Sequence, residues 1–128
     1  MGYSVALFGE AAKGMFHAAY YCQSLQQLSE FLGEPPHEEA KGLQFAIQSI
    51  LYQHDVVFFR VHEEGFSVDD YLNGLAILEK KELFPKITAI CLPGVGNSEI
   101  ISATDPVCSL YKSLLIMSEK DLYDYLTN

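Results

Sequence analysis

The stretch ITAICLPGVGNSEI, residues 87–100, joins an apolar run, a turn with two glycines and the start of an amphipathic segment. Residues 87–92 lack the polar alternation of a half-exposed strand, and they predict a strand buried on both faces. Pro93-Gly94-Val95-Gly96-Asn97 predicts a turn, and a helix is expected from about Ser98. A buried strand, a short turn and a helix in succession are typical of a parallel α/β sheet.

The same succession recurs on both sides of this stretch. An apolar strand is predicted at 55–61, followed by a helix with Ser67 as its cap. A last strand is predicted at 113–117, and Ser118 begins the last helix. Because the second half alternates strand and helix, the sequence predicts a three-layer α/β sandwich, Rossmann-like or flavodoxin-like, with a mostly parallel sheet.

The N-terminal half allows two interpretations. A first strand is predicted at 3–8, and a helix at 43–52. Residues 15–22 are rich in aromatic side chains, which favours a second strand that forms an antiparallel hairpin with the first. The apolar residues also have helical spacing, so one helix from residue 11 to residue 32 is the alternative. We favour the hairpin, because Ser24 begins an S-x-x-Q capping box that would start a helix there.

Composition limits the classes of function. The 128 residues are expected to form a single domain, residues 1–128. With 8 basic and 17 acidic residues, the net charge is −9, which disfavours nucleic acid and anionic membranes as partners. A small-molecule or anionic ligand and a basic protein partner stay compatible with the charge.

The three cysteines, Cys22, Cys91 and Cys108, show no CxxC spacing. The sequence therefore predicts neither a disulfide framework nor a metal site, and no cofactor is expected. The N-terminal residues carry no basic segment before an apolar one, so we expect no signal peptide. Reduced cysteines and this N-terminus lead to the expectation of a cytoplasmic protein.

Candidate site residues follow the predicted strands, because ligands bind at the carboxyl edge of a parallel sheet. Three carboxylates are candidates for acid–base catalysis: Glu10, Glu63 and Glu64. Five further residues are candidates for ligand binding: His62, Gly94, Gly96, Asn97 and Lys120.

Each candidate also has a purely structural interpretation. The glycine turn lacks the third glycine of a dinucleotide fingerprint, since Glu99 stands there, and Asn97 or Ser98 could simply cap a helix. The glutamates after residue 61 could face solvent, with Glu63 or Glu64 paired to Arg60. Lys120 could be solvated.

No nucleophile–base pair and no metal-ligand spacing is visible in the sequence. We therefore expect a small-molecule-binding or protein-interaction module without evident catalysis. The alternative is a small hydrolase or transferase that acts on a phosphorylated or nucleotide-like substrate at the carboxyl edge of the sheet. Because residues 15–22 have no formal charge to block edge pairing, a homodimer is also expected.

Overall fold

The computed structural model describes residues 3–80, 84 and 86–128. Met1 and Gly2, which belong to the N-terminal stretch considered for a signal peptide, lie outside these residues. The described elements follow one another as β1 (Ser4–Gly9), β2 (Ala19–Cys22), α1 (Leu25–Leu32), α2 (Gly42–Leu51), β3 (Asp55–Arg60), α3 (Val68–Leu78), β4 (Ile87–Cys91), α4 (Ser98–Tyr111), β5 (Leu114–Ile116) and α5 (Glu119–Thr127).

The strands form one mostly parallel sheet in the order β2-β3-β1-β4-β5. β1 pairs in parallel with β3 on one side and with β4 on the other, and β4 pairs in parallel with β5. β2 is antiparallel to β3 and forms an edge of the sheet. This is a three-layer α/β sandwich of the flavodoxin-like type, which confirms the predicted fold class.

A hydrophobic core lies on each face of the sheet. On one face, side chains of β1 and β3 pack with residues of α1, α2 and α5, including Leu28, Leu43 and Leu122. On the other face, they pack with residues of α3 and α4, including Leu75 and Ile100. The central strand β1 is buried at every position, as expected of a strand without polar alternation.

The predicted second strand is present, but the predicted hairpin is not. β2 covers only the end of the predicted range 15–22, and it pairs with β3 instead of β1. Both sides of β1 are already occupied by parallel neighbours. The half-exposed β2 therefore lies at the edge, where one side needs no partner. The continuous helix over residues 11–32 is excluded, because α1 begins only at Leu25.

Local capping chemistry sets the start of three helices. The hydroxyl of Ser24 accepts a hydrogen bond from the Gln27 amide at the start of α1. Ser118 does the same for the Asp121 amide at the start of α5. Asn97 caps α4, which also contains Pro106 within its length. The helix starts predicted at Ser24 and Ser118 are therefore confirmed.

Candidate functional site

The carboxyl ends of β1, β3 and β4 meet at one edge of the sheet. The chain passes from β1 to β3 on one side and from β3 across to β4 on the other, so strand order reverses beside β1. The loops after β3 and β4 touch: a Cβ on Gly65 would overlap the Gly94 carbonyl oxygen. The edge is thus the place where ligands bind in open α/β sheets.

Two of the predicted carboxylates come together here. The Glu64 carboxylate accepts hydrogen bonds from three backbone amides: Glu10 at 2.9 Å, Lys41 at 2.8 Å and Gly42 at 2.9 Å. The Glu10 carboxylate in turn accepts a bond of 2.9 Å from the Glu64 amide and lies 2.7 Å from Nε2 of His37. We call Glu10, His37 and Glu64 the glutamate cluster.

The glutamate cluster closes the amino-terminal end of α2. Lys41, at the cap position of that helix, makes no side-chain capping bond, and the carboxylate of Glu64 takes over that role from a distant loop. An anion at this end of a helix satisfies free amides and complements the helix dipole. Glu64 is therefore engaged as a hydrogen-bond acceptor. Glu63, by contrast, is exposed.

A second cluster lies on the other side of the same loop. Asp70, only 6% exposed, accepts hydrogen bonds at 2.8 Å from both the backbone amide and Nδ1 of His62. Its other carboxylate oxygen lies 2.9 Å from Nε2 of His17. We call His17, His62 and Asp70 the histidine cluster.

The environment of Asp70 favours its charged form. Burial on its own would raise the pKa of this carboxyl. Hydrogen bonds from the backbone and ring of His62, and then from His17, outweigh burial and hold the pKa below its usual value. Asp70 is therefore an anion that orients two imidazoles.

The His62 ring has a further contact, and His17 has an unusual backbone conformation. The ring of His62 stacks on Phe16, with centroids 3.5 Å apart and planes 9° from parallel. The Arg60 guanidinium lies 4.3 Å from the Phe16 centroid and donates to the carbonyls of Ala11 and Gly14. His17 has a positive φ of 60°, which is uncommon for a residue with a side chain.

The imidazoles line an open cleft of about 480 Å³. His17 and His62 keep 50% and 62% of their side chains exposed. Phe66, on the same cleft, is 70% exposed although its ring is large and apolar. The cleft therefore combines two oriented imidazoles with an accessible aromatic surface.

The glycine turn after β4 serves first as a helix start. Gly94 has a positive φ of 81°, which explains a glycine at this point of the turn. The side-chain oxygen of Asn97 accepts bonds from the amides of Glu99 and Ile100, so it already caps α4. The space beside Gly94 and Gly96 is open: a Cβ at either would meet no atom within 4 Å.

Other predicted contacts are arranged differently. Arg60 binds backbone carbonyls and covers Phe16, so it is not the partner of Glu63 or Glu64. Lys120 lies on α5 with 83% of its side chain exposed, and its ammonium is 3.0 Å from Asp124. The hydrogen bond with Asp124 raises the pKa of Lys120.

Sequence reasoning missed His17 as a ring partner and Asp70 as the group that joins the cluster. The available signal for Asp70 was its helical position. It lies one turn before Gly74 and next to Tyr71, on the face of α3 that packs against the sheet. A carboxylate at the end of a buried helix face needs a hydrogen-bonding partner.

Comparisons with protein-family models, curated proteins and solved structures found no match for this chain. Among the helices formed by residues 3–80, 84 and 86–128, none combines the length and the apolar character that a membrane span requires. In the same residues, no group of three or more histidine, cysteine, aspartate or glutamate side chains has an arrangement that could hold a metal ion.

Proposed function

We propose that this protein is a small-molecule-binding domain whose ligand occupies the cleft beside the histidine cluster. The observation that carries the proposal is the pair of imidazoles that one buried carboxylate holds at the same cleft. Such preorganised polar groups beside an apolar surface are the usual composition of a ligand site.

The ligand should carry one negative charge and an aromatic or other planar group. Imidazole N–H groups donate hydrogen bonds to an anionic oxygen. The exposed ring of Phe66 provides a surface for a planar group. A single charge is favoured over a double charge, because the chain itself carries −9 and repels anions at longer range.

The test is a nuclear magnetic resonance titration with diphenyl phosphate, which has one charge and two aromatic rings. We expect saturable shifts of the ring signals of His17, His62 and Phe66. His17→Gln should weaken binding by about tenfold, equivalent to the loss of one charge-assisted hydrogen bond. Inorganic phosphate has the anionic oxygens but no ring, and benzyl alcohol has the ring but no charge. Both should bind more weakly than diphenyl phosphate.

His54→Gln is the matched control. His54 precedes β3, at the opposite end of that strand from His62, and its ring bonds to the Tyr52 carbonyl. This variant should bind diphenyl phosphate as the unmodified chain does. Absence of saturable shifts, or shifts that leave the three named rings unaffected, would overturn the proposal.

A further inference from the structure

We infer that the histidine cluster is a general acid–base site that hydrolyses an aryl or nucleotide-like phosphodiester, an inference that rests on the proposed function. Asp70 holds His62 through Nδ1 and His17 through Nε2. In the described part of the chain, no hydrogen bond engages the other nitrogen of either ring. Nε2 of His62 and Nδ1 of His17 are therefore free for proton transfer at the cleft.

The two imidazoles have different electrostatic surroundings. His62 covers one face of Phe16 at 3.5 Å, so the Arg60 guanidinium, 4.3 Å from the same ring, covers the other face. His17 touches Asp70 without entering the stack. In the proposal His62 is the base and His17 is the acid, and the leaving-group comparison below tests which imidazole has which role.

The charged groups around the cleft fit a singly charged substrate. Besides Asp70, the exposed carboxylate of Asp69 on α3 lines the cleft and carries negative charge. They would repel the second charge of a phosphomonoester, whereas a phosphodiester has only one. The phosphomonoester product keeps the second proton of water and one negative charge until it loses that proton to solvent, after which the same carboxylates repel its two charges.

In the proposed step, Nε2 of His62 removes a proton from water while the water oxygen forms a bond to phosphorus. The bond between phosphorus and the leaving oxygen breaks, and its electron pair stays on that oxygen. Protonated His17 donates the proton on Nδ1 to the leaving oxygen. The products are a phosphomonoester and an alcohol or phenol, and exchange with solvent restores both imidazoles. Asp70 stays ionised and keeps both rings oriented.

The test compares two phosphodiesters with different leaving groups. In bis(4-nitrophenyl) phosphate the leaving phenolate is stable without a proton, whereas in diphenyl phosphate it is much less so. His62→Gln should slow hydrolysis of both compounds by ~100-fold or more, the usual contribution of a positioned base. His17→Gln should slow diphenyl phosphate by a similar factor and bis(4-nitrophenyl) phosphate far less.

The unmodified protein tests the inferred hydrolysis even if a variant fails to fold. Hydrolysis of bis(4-nitrophenyl) phosphate no faster than in buffer overturns the inference, as does an equal effect of His62→Gln and the control His54→Gln. Saturable binding of diphenyl phosphate without turnover would leave the proposed ligand site standing and remove only the acid–base role. Absence of both binding and turnover would remove both.

Discussion

Asp70 is the residue on which the histidine cluster depends. Its carboxylate is nearly inaccessible to water and receives hydrogen bonds from two elements, the loop after β1 and the loop after β3. Removing the charge from this buried side chain weakens the acceptor of three part-buried hydrogen bonds, which is more costly than losing a surface contact. Stability and site geometry therefore depend on the same side chain.

Asp70→Asn should lower the free energy of unfolding at pH 7 by about 1–3 kcal/mol. Since the folded-state pKa lies below the ordinary value of 3.8, the carboxylate's contribution is complete above that value. It is lost as pH falls through the lower folded-state pKa. We expect urea unfolding to show a difference in the free energy of unfolding between the unmodified protein and Asp70→Asn. That difference should be smaller near pH 2.5 than at pH 7.

Asp69→Asn is the matched control, because Asp69 is the exposed neighbour on the same helix. Its stability should match that of the unmodified chain at both pH values. If Asp70→Asn lost the same free energy of unfolding near pH 2.5 as at pH 7, the ionised carboxylate would not be the source of the stabilisation.

At this scale, the sequence reveals which residues are polar but not which conformations they adopt. His62 could be chosen because it directly follows a predicted strand. His17 could not, because its contact with Asp70 accompanies a positive φ that no sequence rule predicts for histidine. His17 and His62 are far apart along the chain, and they come close together only when the sheet has formed.

At the scale of elements, the helix starts separate into two kinds. Those of α1, α4 and α5 are capped by a side chain immediately before the helix, and local motifs predicted them. For α3, the expected cap Ser67 instead bonds to the backbone of Glu63. For α2, the acceptor is Glu64, which comes later in the chain than the helix itself. A helix cap that a distant residue supplies cannot be recognised in the sequence next to the helix.

This arrangement predicts chemical rescue. Glu64→Ala should remove the acceptor of three backbone amides and destabilise the fold by about 2 kcal/mol or more. Sodium formate, whose anion is small enough for the space left by the carboxylate, should restore part of the loss relative to sodium chloride at equal concentration. Thermal unfolding followed by circular dichroism measures both effects.

Glu63→Ala provides the comparison, since that neighbouring side chain is exposed. It should unfold at the temperature of the unmodified chain and respond equally to formate and chloride. If formate stabilised both variants to the same extent, the carboxylate-binding role of the three amides would be wrong.

At the scale of the whole molecule, the apolar strands predicted a mostly parallel sheet, but not the neighbour of each strand. The neighbours of a strand in the sheet depend on which strands can lie at an edge, with one side unpaired. β2 carries the exposed ring of Tyr21, whereas β1 has no exposed position. That contrast accounts for β2 at the edge. The contacts between the loops that build the two clusters then follow from the strand order.

The edge leads to a prediction about assembly. β2 has no charged residue, and Tyr21 on it is 40% exposed, so we expect two copies of the chain to pair along this strand. Light scattering at micromolar concentration should give twice the 14.3 kDa chain mass. Higher salt should favour the dimer, because it screens repulsion between two chains of charge −9.

Tyr21→Lys should return the protein to a monomer without unfolding it, since Asp55, the present partner of the Tyr21 hydroxyl, can receive the new ammonium. Tyr20 is less suitable for this test, because its hydroxyl accepts a bond from the Met15 amide. Leu114→Lys, on the opposite edge strand, should stay dimeric. A monomer mass for the unmodified chain, or dissociation only in the Leu114 variant, would contradict the proposed interface.

The central place of β1 has a consequence for biosynthesis. β1 leaves the ribosome before every other described strand, yet its two neighbours, β3 and β4, are made later in the chain. Until β4 is synthesised, one side of the nascent β1 has no native hydrogen-bonding partner. Contacts between such distant segments form slowly, because a long loop must close first. Nascent chains that end before Ile87 would therefore expose the apolar strand β1 with one side unpaired. We expect molecular chaperones to bind such chains.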